Sequence, residues 1–599
     1  MKTVIILNLQ QAEIFARQRM AVDEVVSFCP SATYFLNEKK YNIMSASASY
    51  GALSHGKNVV LITRELPRIV EAATQQYGLD YPESTGLRVY LYHYLARVYY
   101  LYFSLRGLRA RSGDFIWIED NRLAQGDWRA MFLALGNQPI GAMASYAFTN
   151  YSTAHYLLTA LYNRIIAACV ARSSRLKVID FGDELPKRIV AAMIKNGDNP
   201  LILNTHKVGR NPFLSTRFFL KSLTRLWRAR ADGLPVLMFR SASPVQYHEA
   251  FAEFRIPTLS ANVVTEVLRY AVTNYIPFAR TEVAMGRKIV RALRPHIAVS
   301  DHAKYLYILG GLEEVRAQGG QHAMLNHGTH TMQYDRLSHM AAKLWGEQER
   351  IINRNTTHSL PKSPLTAMLT REIRPDNDYE ICKLNVYGKI ENKASREGKF
   401  VILQAGNYTD AYNHIPWCKE TADEYLLAII ELLEEVGKLD NVELIIKLKN
   451  KKSGTHKAIV EGHIARLGIA DKARVDTTGK FSEVMARAHI VVCNISGTIE
   501  EALANNIPLM IHTTRKSYFH IAEQTVRAAA IGDIAPAYLV KERADIGRII
   551  TLLDKHRSEL NNPVLYKNVA WQEKELTSIH DFAKDLVDSA SKRKATHAS

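Results

Sequence analysis

Short apolar runs alternate with longer amphipathic stretches along most of the chain, and this alternation predicts an α/β protein. The runs are short enough to be buried strands, and the stretches between them have the 3.6-residue period of helices. Strands buried on both faces have this continuous apolar character, so we expect parallel sheets covered by helices. The predicted strands include residues 4–9, 57–63, 178–181, 201–204, 235–240, 399–405, 442–449 and 490–493.

A polar stretch, residues 353–395, interrupts this pattern. It contains three prolines and clusters of Asn, Asp and Lys, which is typical of a linker between domains. The chain has 599 residues, enough for two large domains. We therefore predict one domain over residues 1–352 and a second over 396–570, followed by a C-terminal helix with a basic tail over 571–599.

The segment 490–512 has the pattern of a strand, a polar turn, a helix and a second strand. Ser496, Gly497 and Thr498 form the turn, which would bring free backbone N–H groups and two hydroxyls to the start of the helix. Phosphate binds well at a helix start, and the carboxylate of Glu501 could reach a ribose or sugar hydroxyl. We predict that these four residues bind a phosphate-bearing ligand, with an ordinary βαβ unit as the alternative.

Two further groups of residues are candidates for donor binding. Gly406 and Asn407 follow the predicted strand 399–405, where a glycine loop exposes backbone N–H groups to phosphate or sugar. Lys447 and Lys449 belong to a lysine cluster at the end of the next strand. Their charge could compensate a leaving phosphate without a metal ion, and a solvated basic loop is the alternative.

Three residues at predicted strand ends are candidates for a catalytic base. Asp301 and His327 end the two strands of a strand–helix–strand unit within residues 294–330. Gly328 beside the histidine would allow a ligand to approach closely, and an imidazole can transfer a proton near neutral pH. Glu119 ends an earlier strand, where open α/β sheets bind ligands. A structural histidine is the alternative for the imidazole.

The charge of the chain bears on its partners. Its formal net charge is +18 and its isoelectric point is about 9.4, which favours polyanions such as nucleic acid, anionic lipid or phosphorylated substrates. No zinc-finger or RNP-type motif occurs in the sequence, so we expect no nucleic-acid partner. Residues 86–111 and 217–228 combine aromatic residues with arginines at helical spacing, which favours an anionic membrane surface. Core helices with solvated arginines are the alternative.

Three features of the sequence bear on the cellular location of the protein. No run of about 18 consecutive apolar residues occurs, so we predict no transmembrane helix. The apolar run at the N-terminus is too short for a signal peptide. The five cysteines have neither metal nor disulfide spacing. We expect a cytoplasmic protein, with peripheral association at the inner face of the membrane as a further prediction.

The segment 496–503 and the strand after it resemble the donor-side signature in the C-terminal domain of GT-B glycosyltransferases. Residues 294–330, with a strand-end Asp and a strand-end His-Gly, resemble the last βαβ unit of the acceptor domain in transferases of bacterial surface polysaccharides. Those include capsule Kdo, sialic-acid-type and CDP-glycerol transferases. The resemblance implies a GT-B fold, in which two Rossmann-like domains face each other across a cleft. It would make residues 1–352 the acceptor domain and 396–570 the nucleotide-sugar donor domain, with the last helix returning to the N-terminal domain.

For function, the resemblance implies a glycosyltransferase of capsule or lipopolysaccharide assembly. It would move a sugar from a nucleotide donor to a surface glycan or lipid-linked acceptor. CMP-activated sugar acids such as Kdo or a sialic-like sugar are favoured donors, and CDP-glycerol and UDP-sugars stay open. We expect no metal and no cofactor beyond the nucleotide sugar, because no Asp-x-Asp sequence lies at a predicted strand end. The alternatives are a nucleotide-sugar epimerase of the same architecture and a non-catalytic GT-B-like protein that binds anionic membranes or RNA.

Overall fold

The structure is a computed structural model, and it describes residues 2–6, 8–109, 114–118, 153–171, 173–182, 184–207, 234–238, 262–303, 305–326, 352–376, 378–391, 393–394, 397–405, 422–448, 454–493, 496–513 and 534–598. Within these residues the strands form three β-sheets, of four, seven and six strands. Helices lie between successive strands, and neighbouring strands are parallel. The predicted α/β class with parallel sheets is confirmed.

The described strands and helices have the following bounds. The strands are β1 (Lys2–Ile6), β2 (Glu24–Ser27), β3 (Ile43–Ser45), β4 (Asp114–Trp117), β5 (Lys177–Asp180), β6 (Leu201–Lys207), β7 (Leu234–Met238), β8 (Ile297–Ser300), β9 (Gln321–Leu325), β10 (His358–Leu360), β11 (Glu380–Ile381), β12 (Phe400–Ala405), β13 (Val442–Lys447), β14 (Ala473–Asp476), β15 (Ile490–Cys493), β16 (Leu509–Ile511) and β17 (Ala537–Leu539). The α-helices are α1 (Leu9–Gln18), α2 (Pro30–Glu38), α3 (Ala46–Tyr77), α4 (Tyr81–Arg109), α5 (Thr153–Ala171), α6 (Glu184–Lys195), α7 (Asn262–Leu293), α8 (Leu306–Ala317), α9 (Pro364–Ile373), α10 (Ala422–Gly437), α11 (Gly454–Leu467), α12 (Phe481–Met485), α13 (Thr498–Ala504), α14 (Ala544–Lys555) and α15 (Ile579–Ala598).

The six-stranded sheet has the order β14-β13-β12-β15-β16-β17. Counted from its first strand, this is the 3-2-1-4-5-6 order of a Rossmann fold. Every residue of β12 is buried, and successive side chains lie on opposite faces. Phe400 and Ile402 join one apolar core, whereas Val401 and Leu403 join the other. Burial on both faces explains why the strands of this sheet are continuous apolar runs in the sequence.

The seven-stranded sheet has the order β11-β10-β9-β8-β5-β6-β7. Counted from β5, this is again the 3-2-1-4-5-6 order, with one strand added at the edge. The last helix, α15, covers one face of this sheet, where Phe582 and Leu586 pack in the same core as Val299 and Leu325. The predicted pair of Rossmann-like sheets is therefore confirmed.

A four-stranded sheet with the order β3-β2-β1-β4 precedes the other two. It was not predicted, and residues 1–352 therefore contain a complete small sheet as well as five strands of the seven-stranded one. The helices α7 and α8, which pack on the seven-stranded sheet, approach each other very closely. A Cβ atom at Gly286 would lie 2.1 Å from the carbonyl oxygen of Tyr307, and one at Gly310 would lie 2.4 Å from that of Val283. Only glycine allows the backbones to approach to this distance.

The predicted strand over residues 57–63 is wrong, because these residues lie inside α3. The run Val-Val-Leu-Ile at positions 59–62 has the composition of a strand. Its burial has the period of a helix, however: Val60 is 46% exposed, whereas Ile62, Leu66 and Ile69 are fully buried. Helical packing has overridden the local strand preference.

The predicted linker, residues 353–395, is also wrong over most of its length. It contains β10 and β11 of the seven-stranded sheet, with α9 between them. Its first part, residues 353–370, is polar and nevertheless mostly buried, because its polar groups are hydrogen-bonded within the fold. The guanidinium of Arg374, for example, donates hydrogen bonds to the carbonyl oxygens of Asn353 at 2.7 Å and Thr356 at 2.9 Å.

His322 is a fully buried imidazole of β9, and its Nε2 lies 2.8 Å from the Oγ of Ser300. Burial lowers the pKa of this imidazole from 6.5 to about 3, and the nearby His358 and Arg374 act in the same direction. The histidine is therefore neutral in the folded protein near neutral pH.

This neutral histidine predicts a pH-dependent stability. Below pH 6.5 the unfolded chain binds a proton at His322 that the folded chain does not bind, so the folded state loses stability as the pH falls. At about pH 5 we expect this residue alone to lower the free energy of unfolding by about 2 kcal/mol relative to neutral pH. Urea unfolding of the wild type and His322→Gln at both pH values measures the effect. An equal pH dependence of the two chains would contradict the assignment.

Candidate functional site

The carboxyl ends of the two Rossmann-order sheets meet at a buried hydrogen-bonded contact. Glu500, in the first turn of α13, accepts through Oε1 a hydrogen bond from Oγ of Ser363 at 2.5 Å and another from Oγ1 of Thr366 at 2.6 Å. Ser363 follows β10 of the seven-stranded sheet, whereas Glu500 follows β15 of the six-stranded sheet. All three side chains are buried. Because open parallel sheets bind ligands at their carboxyl ends, this contact marks the candidate site.

The start of α9 explains why Ser363 is placed so firmly. It is the N-cap of the helix, its Oγ accepts the backbone N–H of Thr366 at 3.2 Å, and Pro364 occupies the first helical position. Both residue types are favoured at these positions. The Ser-Pro pair is a helix-start signal that the sequence already contains. This signal indicates that a helix begins within the predicted linker.

Lys362 was not predicted, because it lies in that stretch. Its side chain is only 8% exposed, and it comes two residues after β10. Burial lowers the pKa of its ammonium group, whereas the carboxylates of Glu500, Asp301 and Glu501 oppose this effect. Lys362 therefore lies within electrostatic range of carboxylates from both sheets. A buried lysine among carboxylates at strand ends is a candidate functional residue.

Asp301 is the predicted base that the structure describes. It follows β8 and is 2% exposed, and its Oδ1 lies 2.5 Å from the Nδ1 of His302. The order of the sheet reverses between β5 and β8, and such switch points bind ligands. Asp301 also acts electrostatically on Lys362. The structure thus brings Asp301 to the same part of the molecule as the start of α13.

The turn predicted to bind phosphate precedes α13. Oγ of Ser496 accepts a hydrogen bond from the backbone N–H of Thr498 at 3.2 Å. Oγ1 of Thr498 is buried and has no hydrogen-bond partner within the described part of the chain. A Cβ atom at Gly497 would meet no atom of the described residues within 4 Å, so these residues leave space beside the backbone. The turn therefore presents an unused hydroxyl and an accessible main chain.

Glu501 is half-buried in α13, one residue after the carboxylate that joins the two sheets. Burial raises its pKa, and the charges of Lys362 and Arg188 oppose this. Arg188 belongs to α6, which lies against the seven-stranded sheet. Glu501 therefore lies in the field of cations from the opposite sheet. Its contact with a ribose or sugar hydroxyl stays a prediction.

Lys447 has a partner within its own sheet. Its Nζ lies 3.2 Å from Oδ1 of Asp476, at the end of the neighbouring strand β14, and both side chains are nearly buried. Burial raises the pKa of Asp476, but hydrogen bonds from the backbone of Gly479 and Thr478, together with Lys447, outweigh it and hold the pKa below its ordinary value. This ion pair stabilises the strand ends, and phosphate binding by Lys447 stays a prediction.

Several predicted residues lie outside the described part of the chain. They are Glu119, His327, Gly406, Asn407 and Lys449. Residues 217–228, the second predicted aromatic and basic helix, lie outside it as well. Most of the first such stretch is present as α4, and its contact with a membrane stays a prediction.

Two properties of the described residues concern membranes and metal ions. No helix among them is both long and apolar enough to cross a membrane. No group of three or more His, Cys, Asp and Glu side chains in the same residues is arranged so that it could hold a metal ion.

Comparisons with known proteins find similarity among solved structures alone. No family model and no curated protein sequence matches the chain. A putative UDP-N-acetylglucosamine 2-epimerase from Listeria monocytogenes aligns at 12% identity over 67% of this chain and 94% of its own, with a TM-score of 0.37. The wall teichoic acid polymerase TagF aligns at 10% identity over 80% of this chain and 100% of its own, with a TM-score of 0.38.

A glycosyltransferase from Rickettsia africae ESF-5 aligns at 11% identity over 71% of this chain and 98% of its own, with a TM-score of 0.35. Likenesses this remote do not establish an activity. The chain's own strand order and side chains therefore carry the evidence for its function.

The contact between the sheets predicts an energetic coupling of Glu500 with Lys362. Glu500→Gln keeps an oxygen for the hydroxyls of Ser363 and Thr366 but removes the charge opposite a buried ammonium. We expect it to lower the free energy of unfolding by about 1–3 kcal/mol. Lys362→Met should remove most of that loss, because no buried cation then lacks its counter-charge. Urea unfolding of the two single variants and the double variant gives the coupling energy.

Glu443→Gln is the matched control, since that carboxylate pairs with the partly exposed Arg474 and Arg487 in the six-stranded sheet. Its effect should stay below about 1 kcal/mol. If the changes in the free energy of unfolding of Glu500→Gln and Lys362→Met simply add in the double variant, the two residues do not interact across the contact.

Proposed function

We propose that the chain is a glycosyltransferase that uses a nucleotide sugar as donor. The observation that carries the proposal is the contact of Glu500 with Ser363 and Thr366. It draws together the carboxyl ends of two Rossmann-order sheets, one ending in Asp301 and the other in the turn before α13. A reaction between two substrates needs both held in one geometry, and facing strand ends from two sheets suit that requirement.

In this proposal the six-stranded sheet binds the donor. Thr498 Oγ1, which is buried without a partner among the described residues, donates to a phosphate oxygen, and the open backbone at Gly497 admits the ligand. Ser496 orders the turn through its bond to the backbone of Thr498. Glu501 accepts a hydrogen bond from a hydroxyl of the ribose or the sugar. The proposal includes Gly406, Asn407, Lys447 and Lys449 as further donor contacts.

The seven-stranded sheet binds the acceptor, and Asp301 is the proposed base. Its carboxylate takes the proton of the acceptor hydroxyl as that oxygen bonds to the anomeric carbon. The bond from that carbon to the nucleotide phosphate breaks, and the phosphate leaves with the electron pair. His302, 2.5 Å from Asp301, orients the carboxylate. Glu119 and His327 are the other proposed candidates for the base.

The finer assignment is a donor that carries a CMP-activated sugar acid and an acceptor that is a surface glycan or a lipid-linked glycan. The net charge of +18 supports anionic partners, including an anionic membrane surface at which the chain would bind peripherally. No metal is required in this scheme, because cationic side chains compensate the leaving phosphate.

Binding of a nucleotide tests the donor half of the proposal. A ligand of the folded state raises the melting temperature by mass action, so we expect one of CMP, CDP, UDP, GDP and ADP to do so. Thr498→Val should lose most of the shift while keeping the melting temperature of the free protein, because the hydroxyl it removes makes no hydrogen bond with the described residues. Thr551→Val, at an exposed position of α14, is the control. Equal shifts for the wild type and Thr498→Val would contradict donor binding at this turn.

Turnover tests the catalytic half. Release of free nucleotide from a panel of nucleotide sugars, with and without polysaccharide acceptors, should fall by about 10²- to 10⁴-fold in Asp301→Asn. The nucleotide shift in melting temperature should be retained. An altered sugar without nucleotide release would identify an epimerase instead. RNA or vesicle binding without nucleotide binding would identify a non-catalytic binding protein.

A further inference from the structure

The ammonium group of Lys362 is buried, and no residue in the described part of the chain pairs with it directly. Its side chain is 8% exposed, and its ammonium makes neither a hydrogen bond nor an ion pair with the described residues. The ring of Tyr387 lies 5.9 Å from Nζ. A buried ammonium without an acceptor is costly, so this position needs an explanation other than stability.

The carboxylates around Lys362 have other partners. Glu500 accepts two hydroxyl hydrogen bonds, from Ser363 and Thr366. Asp301 contacts the imidazole of His302. Glu501 is stabilised by Arg188 as well as by Lys362. These groups lower the cost of burying the ammonium, but none of the three forms an ion pair with it.

A second buried donor lies beside the lysine. The hydroxyl of Tyr387 is buried and has no hydrogen-bond partner among the residues that the structure describes. Burial, together with Glu500 and Glu501, holds the pKa of this phenol well above its ordinary value of 10. The hydroxyl therefore keeps its proton and can donate a hydrogen bond. The ammonium of Lys362 and the hydroxyl of Tyr387 are thus two hydrogen-bond donors near the contact between the sheets. Neither has an acceptor among the described residues.

We propose that Lys362 and Tyr387 bind an anionic group of the donor, either a phosphate or the carboxylate of a sugar acid. The proposal rests on the proposed function and names the ligand chemistry of that site. A neutral sugar hydroxyl could satisfy the hydrogen bonds but not the charge, whereas an anion supplies both. Lys362 follows β10 of the seven-stranded sheet, so it would contact the donor from the side opposite the turn at Ser496. The donor would then be held by both sheets at once.

Calorimetric titration tests this inference. The probes are nucleoside 5′-monophosphates, the matching uncharged nucleosides, and free sugar acids such as N-acetylneuraminate, each titrated into the full chain. We expect Lys362→Met to weaken binding of the anionic probe by roughly 30-fold or more and to leave nucleoside binding unchanged. Tyr387→Phe removes one hydrogen-bond donor without changing the charge. It should weaken binding of the same probe by a smaller factor. An effect on the monophosphate assigns the phosphate, and an effect on the sugar acid alone assigns the carboxylate.

Lys383→Met is the matched control, because that lysine pairs with Glu575 at 2.8 Å and lies over the ring of Trp571. It should bind every probe as the wild type does. If the wild type binds a nucleotide and both Lys362→Met and Tyr387→Phe bind every anionic probe equally well, the inference is overturned and the proposed function stands. If the wild type binds no nucleotide and no sugar acid, both fall together. Thermal melting of each variant identifies loss of folding, and Tyr387→Phe keeps the test decisive if Lys362→Met does not fold.

Discussion

The architecture depends on one buried carboxylate. Glu500 lies at the start of α13, behind a strand of the six-stranded sheet, yet both of its hydroxyl partners lie at the start of α9, which follows β10 of the other sheet. Ser363 caps α9 while it donates to Glu500, so the same residue fixes a helix start and the contact between sheets. A buried carboxylate needs such donors.

Some polar groups near that contact have bonded partners within the fold, and others have none among the described residues. This difference distinguishes structural groups from candidate ligand contacts. Lys447 and Asp476 form an ion pair within one sheet and stabilise its strand ends. Arg374 bonds to backbone carbonyls and orders the residues just before β10. Lys362, Thr498 Oγ1 and the hydroxyl of Tyr387 have no such bonds to the described residues. Groups that a fold buries without satisfying are candidates for ligand contacts.

The sequence pattern was sufficient to predict the apolar strands and the polar residues at their ends. It was not sufficient to predict polar residues that the fold buries. β12 and β15 were predicted because both are continuous apolar runs buried on two faces, and Asp301 and the turn at Ser496 followed from strand ends. The strand over residues 57–63 was wrong because a β-branched run sits within a helix whose tertiary packing decides its conformation. Lys362 was missed because the polar residues around β10 resemble a linker in composition, while the fold buries and bonds them.

Hydrogen–deuterium exchange during titration with the nucleotide that raises the melting temperature tests the central claim most directly. The claim is that the two Rossmann-order sheets share one ligand site. It predicts that peptides from both sides, spanning residues 358–366 and 490–503, gain protection together and saturate at the same nucleotide concentration. Protection confined to one of these peptides, or found only elsewhere in the chain, would contradict a shared site.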